Sequence, residues 1–497
     1  MGCHCYFISQ VTRPFDKSSL GIPIPGEHPL ESIERFNFNS LDDIQRKSRE
    51  LGLSLSFPAD LSPLRQKVKV GPLTAPNAIA VLPMEGCDSL PDGGPSELVK
   101  RRYFRFARGG AGLIWWEANA VVREGRANEL QMMLTPENLS SFKELVKETR
   151  AAGQERNGGD YRPVYILQLT HSGRYSRPVG HKSAPIIPQH DPILDPRSGI
   201  TADTPVVSDE YLESLVEKYV ASALLAREAG FDGVDVKACH RYLLSELLAS
   251  HTRQGLYGGS YENRSRLIIS IIHAIRKACG KDFIIASRFN VFDAHPYPYG
   301  FGEDEKDFMK FDSREPELLV RDLCAAGIDL LSNSAGNPYY IYPQVTRPFD
   351  KSSLGIPIPG EHPLESIERL FAFTALVQKS AGAIPVVGNG YTWLRQFMPY
   401  AGAANIAAGN CAFLGLGRSS FAYPDAPYDM LNTGAMKPEN CCITCSMCTQ
   451  IMRDHGRTGC AIRDGDVYGP IYQAARDEAE KREQTAAQGE LTAGAKK

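Results

Sequence analysis

Residues 164–174 read VYILQLTHSGR, a short apolar run that ends in polar residues. Such a run is typical of a strand that is buried on both faces of a parallel sheet. Helical patterns separate the runs, and the clearest helix begins at Ser208, a good N-cap residue. Eight alternating strand and helix units predict an α/β protein with a TIM (β/α)8 barrel. The predicted strands are Ala78–Leu82, Gly112–Trp116, Val164–Leu169, Gly233–Val236, Phe283–Arg288, Ile328–Ser332, Ile384–Val387 and Phe413–Leu416.

The composition is that of an ordinary globular protein, with 42% hydrophobic and 23% charged residues among 497. A formal net charge of -3 gives no reason to expect nucleic acid or an acidic membrane as a partner. No apolar run is long enough to span a bilayer, and no basic region followed by an apolar core begins the chain. Cysteines outside one C-terminal group are scattered, which suits reduced thiols. We therefore predict a cytoplasmic protein.

One segment of 26 residues occurs twice without a change: Gln10–Arg35 is identical to Gln344–Arg369. Repeat architectures recur several times at short intervals, which this segment does not. The second copy lies between a strand and a helix of the predicted barrel, where a connection is needed. We therefore predict that residues 1–36 are a duplicated N-terminal appendage. Deleting them is expected to leave the cofactor content and the melting temperature unchanged.

Polar residues follow the predicted strands, and the functional residues of a TIM barrel lie at these strand ends. Glycines after strands seven and eight let backbone N–H groups approach an anion, and Arg418 adds positive charge, so these ends predict a phosphate site. A glycine pair alone is also explained by a tight turn. The candidate residues are Pro83, Met84 and Glu85 (strand one), Ala118 (two), Gln168 (three), Lys237, His240 and Tyr242 (four), Arg288 (five), Gly390 (seven), and Gly417 and Arg418 (eight).

Four cysteines near the C-terminus form the second candidate site. Cys442, Cys445 and Cys448 are separated by two residues each, and Cys460 follows after eleven more. This spacing is typical of iron–sulfur ligation, and a structural zinc is the alternative. Cys441 could replace Cys442 as the first ligand.

Several strand ends together resemble the old yellow enzyme family. They are Pro83-Met84, the stretch Gln168–Arg174, the Tyr242-Leu243-Leu244 run and the stretch Tyr257–Arg264. The four cysteines resemble the iron–sulfur branch of that family, which includes 2,4-dienoyl-CoA reductase and trimethylamine dehydrogenase. The resemblance covers about residues 65–465. It implies FMN and a [4Fe–4S] cluster as cofactors, and it favours the cluster over zinc.

The resemblance also implies a role for each candidate residue around FMN. Gln168 would hydrogen-bond the pyrimidine ring and Arg288 would place positive charge near N1. The ring system would be bordered by Pro83, Met84, Glu85 and Ala118, and the phosphate would be held by Gly390, Gly417 and Arg418. His171 is expected to be a structural, hydrogen-bonded histidine. The predicted domains are residues 37–430 as the FMN-binding barrel, 431–470 as the cluster-binding extension and 471–497 as a solvated tail.

In this family hydride passes from FMN to the β-carbon of an activated alkene, and a tyrosine, here Tyr242, protonates the α-carbon. His240 would be one donor to the substrate carbonyl, and Lys237 stands where the other donor is usually a histidine. A fixed cation binds a carboxylate or oxyanion more strongly than neutral imidazole does, so we expect a 2-enoate or enoyl thioester as substrate. A structural ion pair of Lys237 with Glu85 or another acid is the alternative role of the lysine. Glu85 also departs from the family pattern, in which a small neutral residue is commoner.

Two other functions remain open from the sequence: an amine dehydrogenase or demethylase, and a non-catalytic flavin and iron–sulfur electron-transfer subunit. The long relatives continue into dinucleotide-binding domains, whereas no GxGxxG motif follows a strand of this chain. Electrons are therefore expected from a partner protein or from NAD(P)H bound over the flavin, and the substrate is expected to be a small molecule.

Overall fold

The structure is a computed structural model that describes residues 34–338, 343–354 and 358–494. An antiparallel hairpin of β1 (Val68–Val70) and β2 (Leu73–Ala75) precedes eight parallel strands that close into a barrel. The last strand pairs with the first, with Leu416 opposite Val81. The predicted TIM barrel is thereby confirmed. Its strands are β3 (Ile79–Val81), β4 (Leu113–Ala120), β5 (Val164–Thr170), β6 (Gly233–Val236), β7 (Ile284–Phe292), β8 (Leu330–Ala335), β9 (Val386–Gly388) and β10 (Phe413–Leu416).

Helices surround the barrel and continue into the C-terminal region. In chain order they are α1 (Leu41–Glu50), α2 (Glu97–Arg108), α3 (Leu139–Asn157), α4 (Asp195–Ser198), α5 (Asp209–Ala229), α6 (Leu243–Leu248), α7 (Tyr261–Cys279), α8 (Arg314–Ala325), α9 (Pro343–Thr346), α10 (Pro363–Ala381), α11 (Met398–Ala407), α12 (Arg418–Ala422), α13 (Ala426–Asn432), α14 (Met447–Arg453) and α15 (Gly465–Gly494). Short 3-10 turns lie at Ser62–Arg65, Arg123–Gly125, Gly173–Tyr175, Tyr391–Phe397 and Pro438–Asn440. None of the described helices is long and apolar enough to cross a membrane.

Local sequence signals explain where these elements begin and end. Helix α5 begins as predicted at Ser208, whose side chain accepts a hydrogen bond from the backbone N–H of Tyr211. It ends at Gly230, which has a φ of 93° that a residue with a side chain rarely adopts. Every residue of β4 and β5 is buried, because barrel strands face the core on one side and the helices on the other.

The cysteine-rich extension is attached to the mouth of the barrel by hydrogen bonds and ion pairs. The N–H of Thr458 donates to the carbonyl of Gly86, just beyond β3 (2.6 Å), and the N–H of Ser353 donates to the carbonyl of Cys445 (2.8 Å). Asp464 pairs with Arg101 on α2 at 2.7 Å. These contacts hold the extension over the strand ends where the candidate site lies.

Most of the predicted N-terminal appendage lies outside the described residues. Its last residue, Phe36, donates its N–H to Asp350 in the second copy of the repeated segment (2.7 Å). The Phe36 ring also packs edge-on against Trp393, with 5.2 Å between the ring centroids. A deletion that ends at residue 33 therefore tests the prediction without removing this contact.

Candidate functional site

A cavity opens at the carboxyl ends of the barrel strands, with about 1240 Å³ of empty space that is partly open to solvent. Active sites of TIM barrels form at this face because loops from all eight strands meet there. The structure brings all twelve residues predicted around the flavin and substrate into the lining of this one cavity. They are Pro83, Met84, Glu85, Ala118, Gln168, Lys237, His240, Tyr242, Arg288, Gly390, Gly417 and Arg418.

Gln168 is held by a carboxylate that the sequence analysis did not identify. Its side-chain amide donates to Asp235 Oδ2 (2.6 Å), which also accepts from the indole N–H of Trp115 (2.9 Å). The other oxygen of Asp235 accepts from the backbone N–H of Arg288 (2.9 Å), and burial raises the pKa of Asp235 to about 7. Because the amide nitrogen of Gln168 is used in this way, its oxygen can accept a hydrogen bond from a ligand in the cavity.

Arg288 has an unpartnered polar atom that indicates a ligand. Its Nε is buried and has no hydrogen-bond partner among the described residues, although the side chain lines the cavity. Leaving a buried donor unpaired costs about 1–3 kcal/mol. A ligand with acceptor atoms beside Arg288 would remove that cost.

Arg347 also carries an unpartnered atom, and the sequence analysis missed this residue. Its Nε is buried without a partner in the described structure. Burial lowers the pKa of Arg347 to about 9, and the charges of Arg418 and Arg453 add to the lowering. Guanidinium groups that repel one another in a buried place are stabilised by a shared anion. The only signal in the sequence was position, because Arg347 follows the sixth strand of the barrel.

Two glycines line the same cavity, and one of them leaves room for that anion. Gly390 has a φ of 92°, which requires glycine. A Cβ added to Gly417 would have only the sulfur of Met84, at 3.9 Å, as a neighbour. The residues present thus fit a phosphate, because the open backbone of Gly417 adjoins Arg418 in a cavity that Arg347 also lines.

Lys237 lies against Tyr242, with its Nζ 4.0 Å from the centre of the phenol ring. Burial lowers the pKa of Lys237. Glu85 accepts instead from the side-chain amide of Gln131 (2.6 Å), and in the described part of the chain it forms no direct ion pair with Lys237. Burial raises the pKa of Glu85, and the charge of Lys237 opposes this only in part. The lysine is thus directed at the cavity and the tyrosine, and not held by a structural carboxylate.

His240 reaches the cavity through an unusual turn after β6. His240 and Arg241 both have left-handed backbones, with φ of 64° and 60°. Residues in this region persist only when surrounding contacts hold them, and here Arg241 is buried in ion pairs with Asp293 (3.0 Å) and Asp191 (3.3 Å). The His240 Nε2 lies 3.0 Å from the Ser334 hydroxyl at the end of β8.

The imidazole of His240 is neutral at physiological pH. Burial holds its pKa well below the usual 6.5, and the positive charges of Arg288 and Lys237 contribute in the same direction. A neutral imidazole can donate one hydrogen bond to a substrate without adding a charge. His171 does not line this cavity: its ring nitrogens interact with the Tyr211 hydroxyl (2.9 Å) and the Gly173 N–H (3.1 Å).

The four predicted cysteine ligands line a second, smaller cavity with about 370 Å³ of empty space. They are Cys442, Cys445, Cys448 and Cys460. Cys441 does not face it, because its thiol donates to the carbonyl of Lys437 (3.4 Å). No three His, Cys, Asp or Glu side chains of the described ranges lie close enough together to hold a single metal ion.

The environment of these thiols fits a group that carries positive charge. Burial raises the pKa of Cys442 to about 12, although Arg418 opposes the shift, so thiolates there need cationic metal partners. Backbone N–H groups donate to sulfur, from Thr444 to Cys442 (3.4 Å) and from Arg463 to Cys460 (3.3 Å). Hydrogen bonds to sulfur are a known feature of iron–sulfur ligation.

The two cavities adjoin each other. Cys448, Arg418 and Phe421 line both of them. A redox group held by the four thiols would therefore lie next to a ligand in the barrel cavity.

Comparison with known proteins agrees with the fold and gives the family. The profile of the NADH:flavin oxidoreductase / NADH oxidase family matches residues 63–320. An NADPH dehydrogenase of Geobacillus sp. (strain WCH70) is 30% identical over 287 residues, covering 56% of this chain and 75% of that protein. A cinnamate reductase of Clostridium sporogenes is 25% identical over 413 residues, covering 80% of this chain and 57% of that protein.

Solved structures share the fold. A 2-naphthoyl-CoA reductase in complex with 2-naphthoyl-CoA aligns with a TM-score of 0.62 at 20% identity, covering 81% of this chain and 57% of that one. An old yellow enzyme homologue from Zymomonas mobilis aligns with a TM-score of 0.54 at 19% identity, covering 76% of this chain and 94% of that one. The chain spans about half the length of the longer curated relatives that it matches, 51% and 52% in two cases.

Proposed function

Since the chain belongs to the NADH:flavin oxidoreductase / NADH oxidase family, we propose that it is an FMN-dependent enzyme that reduces an activated carbon–carbon double bond. The observation that carries this proposal is the convergence of Tyr242, Lys237 and His240 in the cavity that Gln168 and Arg288 also line. An acid, a cation and a neutral donor at one place suit the addition of hydride and a proton to an alkene.

FMN would be held by two groups of residues. Gln168 and Arg288 would contact the pyrimidine end of its ring, while Pro83, Met84, Glu85 and Ala118 would border the ring system. Gly390, Gly417, Arg418 and the newly identified Arg347 would bind the phosphate. Bound FMN would supply the hydride for the β-carbon of the substrate.

Tyr242 would donate its phenolic proton to the α-carbon. A phenol is neutral at pH 7, because its unperturbed pKa is about 10, so the proton is available. Lys237, 4.0 Å from the ring, would stabilise both the negative charge that develops on the substrate and the tyrosinate left behind. His240, oriented by Ser334, would donate to the substrate carbonyl or carboxylate.

Cys442, Cys445, Cys448 and Cys460 would bind a [4Fe–4S] cluster, and residues 431–470 would then be a cluster-binding extension of the barrel. A bound cluster would pass single electrons to or from the flavin site, and Cys448 lines both cavities. A nicotinamide donor or a partner protein would supply the electrons.

The charge of the site disfavours the amine alternative. A cationic amine would meet Lys237, Arg288 and Arg347 in the same cavity, and like charges there are costly. An enoate or a polarised thioester carbonyl would instead be attracted. The electron-transfer alternative predicts cofactors without turnover.

The test of the function is anaerobic purification followed by analysis of flavin, iron and zinc. Alkene reduction is then assayed with viologen reduced by dithionite and with NADH or NADPH. The panel contains a 2-enoate, an enone, an enoyl thioester and a trimethylammonium substrate. Reduction of the enoate or thioester supports the proposal. Cofactor-loaded protein that reduces no alkene would contradict it, and amine oxidation would favour the alternative.

Replacing Lys237 with methionine is expected to lower kcat/KM for a 2-enoate about a hundredfold, because the cation beside the developing charge is lost. The value for an uncharged enone should fall much less. In the unmodified protein, kcat/KM for the enoate should decline as pH rises, beginning below the usual lysine pKa of 10.5, since burial lowers the pKa of Lys237. An enoate activity that survives the substitution would show that Lys237 does not bind the substrate.

Replacing Arg347 with alanine is expected to weaken FMN binding by about ten- to a hundredfold, because one charge-assisted contact with the phosphate is removed. Titration of flavin-free protein with FMN measures the loss. Arg13→Ala is the matched control, because Arg13 occupies the same place in the first copy of the repeated segment. Equal effects of the two substitutions would contradict both the phosphate role of Arg347 and the peripheral role of the first copy.

A further inference from the structure

Asp235 is a fully buried carboxylate that lies behind the barrel cavity and does not line it. Its Oδ2 accepts from the side-chain amide of Gln168 (2.6 Å) and from the indole N–H of Trp115 (2.9 Å). Its Oδ1 accepts from the backbone N–H of Arg288 (2.9 Å). One carboxylate therefore holds both Gln168 and Arg288, the two residues that we expect at the pyrimidine end of FMN.

All three of these contacts suit the ionised form of Asp235. An ionised carboxylate only accepts hydrogen bonds, whereas a protonated carboxyl also carries an O–H that needs an acceptor. The indole N–H and the backbone N–H are donors and cannot become acceptors. The amide of Gln168 differs, because it carries an oxygen as well as a nitrogen. Half a turn about its last side-chain bond would place the oxygen against Asp235 and direct the NH2 group at the cavity.

Burial opposes the ionised form. It raises the pKa of Asp235 to about 7, although the three hydrogen bonds and the charge of Arg288 oppose the shift. The charged and titratable groups that face Asp235 are Arg288 on β7, Lys237 and Cys239 beyond the end of β6, and Tyr219 on α5. The groups that contact it from β4 and β5 are uncharged. Burial raises the pKa of Cys239 and of Tyr219, so both are neutral near pH 7. Asp235 can thus gain or lose a proton near neutral pH.

The redox state of FMN decides which end of the Gln168 amide the ring prefers. Oxidised FMN presents an N–H on its pyrimidine ring, which the amide oxygen can accept. Reduction by two electrons places negative charge near N1, and negative charge favours an N–H donor. The same added charge raises the pKa of a nearby carboxyl, because like charges repel. Reduction therefore favours the turn of Gln168 and the protonation of Asp235 together.

We propose that Asp235 is a positioning residue that takes up a proton when FMN is reduced and turns the Gln168 amide as it does so. The flavin receives two electrons from the donor and one proton on N5, and a second proton passes from solvent to Asp235. This second proton cancels the negative charge that reduction adds to the buried site. Reoxidation by the substrate returns the amide and releases the proton. The inference rests on the proposed function, since that function places FMN against Gln168.

The midpoint potential of the flavin, measured by spectroelectrochemical titration at a series of pH values, tests the proposal without any alkene. In the unmodified protein the potential should fall more steeply with pH in a window that begins near pH 7, where Asp235 is ionised beside oxidised flavin and protonated beside reduced flavin. Below the window Asp235 is protonated in both redox states, and above it in neither. One additional proton per two electrons changes the reduction equilibrium by a further tenfold per pH unit, or about 30 mV.

Three substitutions identify the group that is responsible. Asp235→Asn should lose the steeper window, and Gln168→Met, whose side chain has no amide to turn, should lose most of it. Asp160→Asn is the matched control, because it removes an exposed carboxylate that does not line the cavity, and it should keep the window. The proposal is overturned if the window is absent from the unmodified protein, if it persists in Asp235→Asn, or if Asp160→Asn loses it equally. A full window in Gln168→Met would refute the turn of the amide.

Infrared difference spectroscopy of the unmodified protein gives a second readout that does not depend on whether a variant folds. Reduction within the window should produce the carbonyl stretch of a newly protonated carboxyl, and its absence would also overturn the proposal. Both readouts need bound FMN but no turnover. A protein that shows the window and reduces no alkene would refute the proposed function alone, whereas alkene reduction without the window would refute only this inference. Flavin content and melting temperature show whether each variant has folded.

Discussion

Protein with serine in place of Cys442 is expected to lose nearly all of its bound iron and the broad visible absorbance of an iron–sulfur cluster. The cysteine lines the thiol cavity together with Cys445, Cys448 and Cys460. A serine hydroxyl is a much poorer ligand for iron than a thiolate, and three thiolates leave one corner of a cubane without its protein ligand. Iron, acid-labile sulfide and zinc are measured on anaerobically purified protein.

The neighbouring Cys441 provides the matched control. Cys441→Ser is expected to keep its iron, because that thiol donates to the carbonyl of Lys437, and a hydroxyl can do the same. Iron that is retained in Cys442→Ser but lost in Cys441→Ser would reverse the ligand assignment. If the unmodified protein contains one zinc per chain and neither iron nor sulfide, the four cysteines bind a structural zinc and not an iron–sulfur cluster.

Replacing Tyr242 with phenylalanine is expected to lower kcat for alkene reduction about 10²- to 10⁴-fold, the usual contribution of a general acid. The substitution removes only the phenolic hydroxyl, so the ring that packs beside Lys237 is kept. Flavin content and the affinity for a non-reducible substrate analogue should change little, since the proton is needed only in the chemical step. Stopped-flow measurement of alkene-dependent flavin absorbance reports this step directly.

Tyr400→Phe is the control for this substitution, because Tyr400 lies on α11 and does not line either cavity. It should leave kcat unchanged. If Tyr242→Phe also reduced alkenes at the unmodified rate, water or another side chain would have to supply the proton. In that case the role proposed for Tyr242 would be abandoned, while the FMN and cluster sites would be unaffected.

The sequence was most informative where each residue's environment follows from its neighbours in the chain. All eight barrel strands lie where apolar runs predicted them, because a strand covered on both sides is apolar at most of its positions. The N-cap of α5 at Ser208 could also be predicted from the sequence, since capping is a local contact. The residues predicted around the flavin all line one cavity for a related reason: they follow strands that end at one face of the barrel.

Contacts between distant parts of the chain could not be predicted from the sequence in this way. In the sequence, Asp235 is simply one residue of a predicted buried strand. Only strand pairing in the barrel places it against Gln168 of the neighbouring strand. Arg347 stands in a copied segment whose two occurrences are identical in sequence, so only its place in the fold distinguishes it from Arg13.

The sequence by itself therefore determined the barrel, the family and the set of candidate residues, since these depend on local pattern and on strand order. The tertiary structure alone decided that Cys442 and not Cys441 faces the other thiols, and that Lys237 faces Tyr242 instead of pairing with Glu85. These outcomes depend on side-chain direction and on distances across the barrel mouth, which are set only when the chain closes on itself.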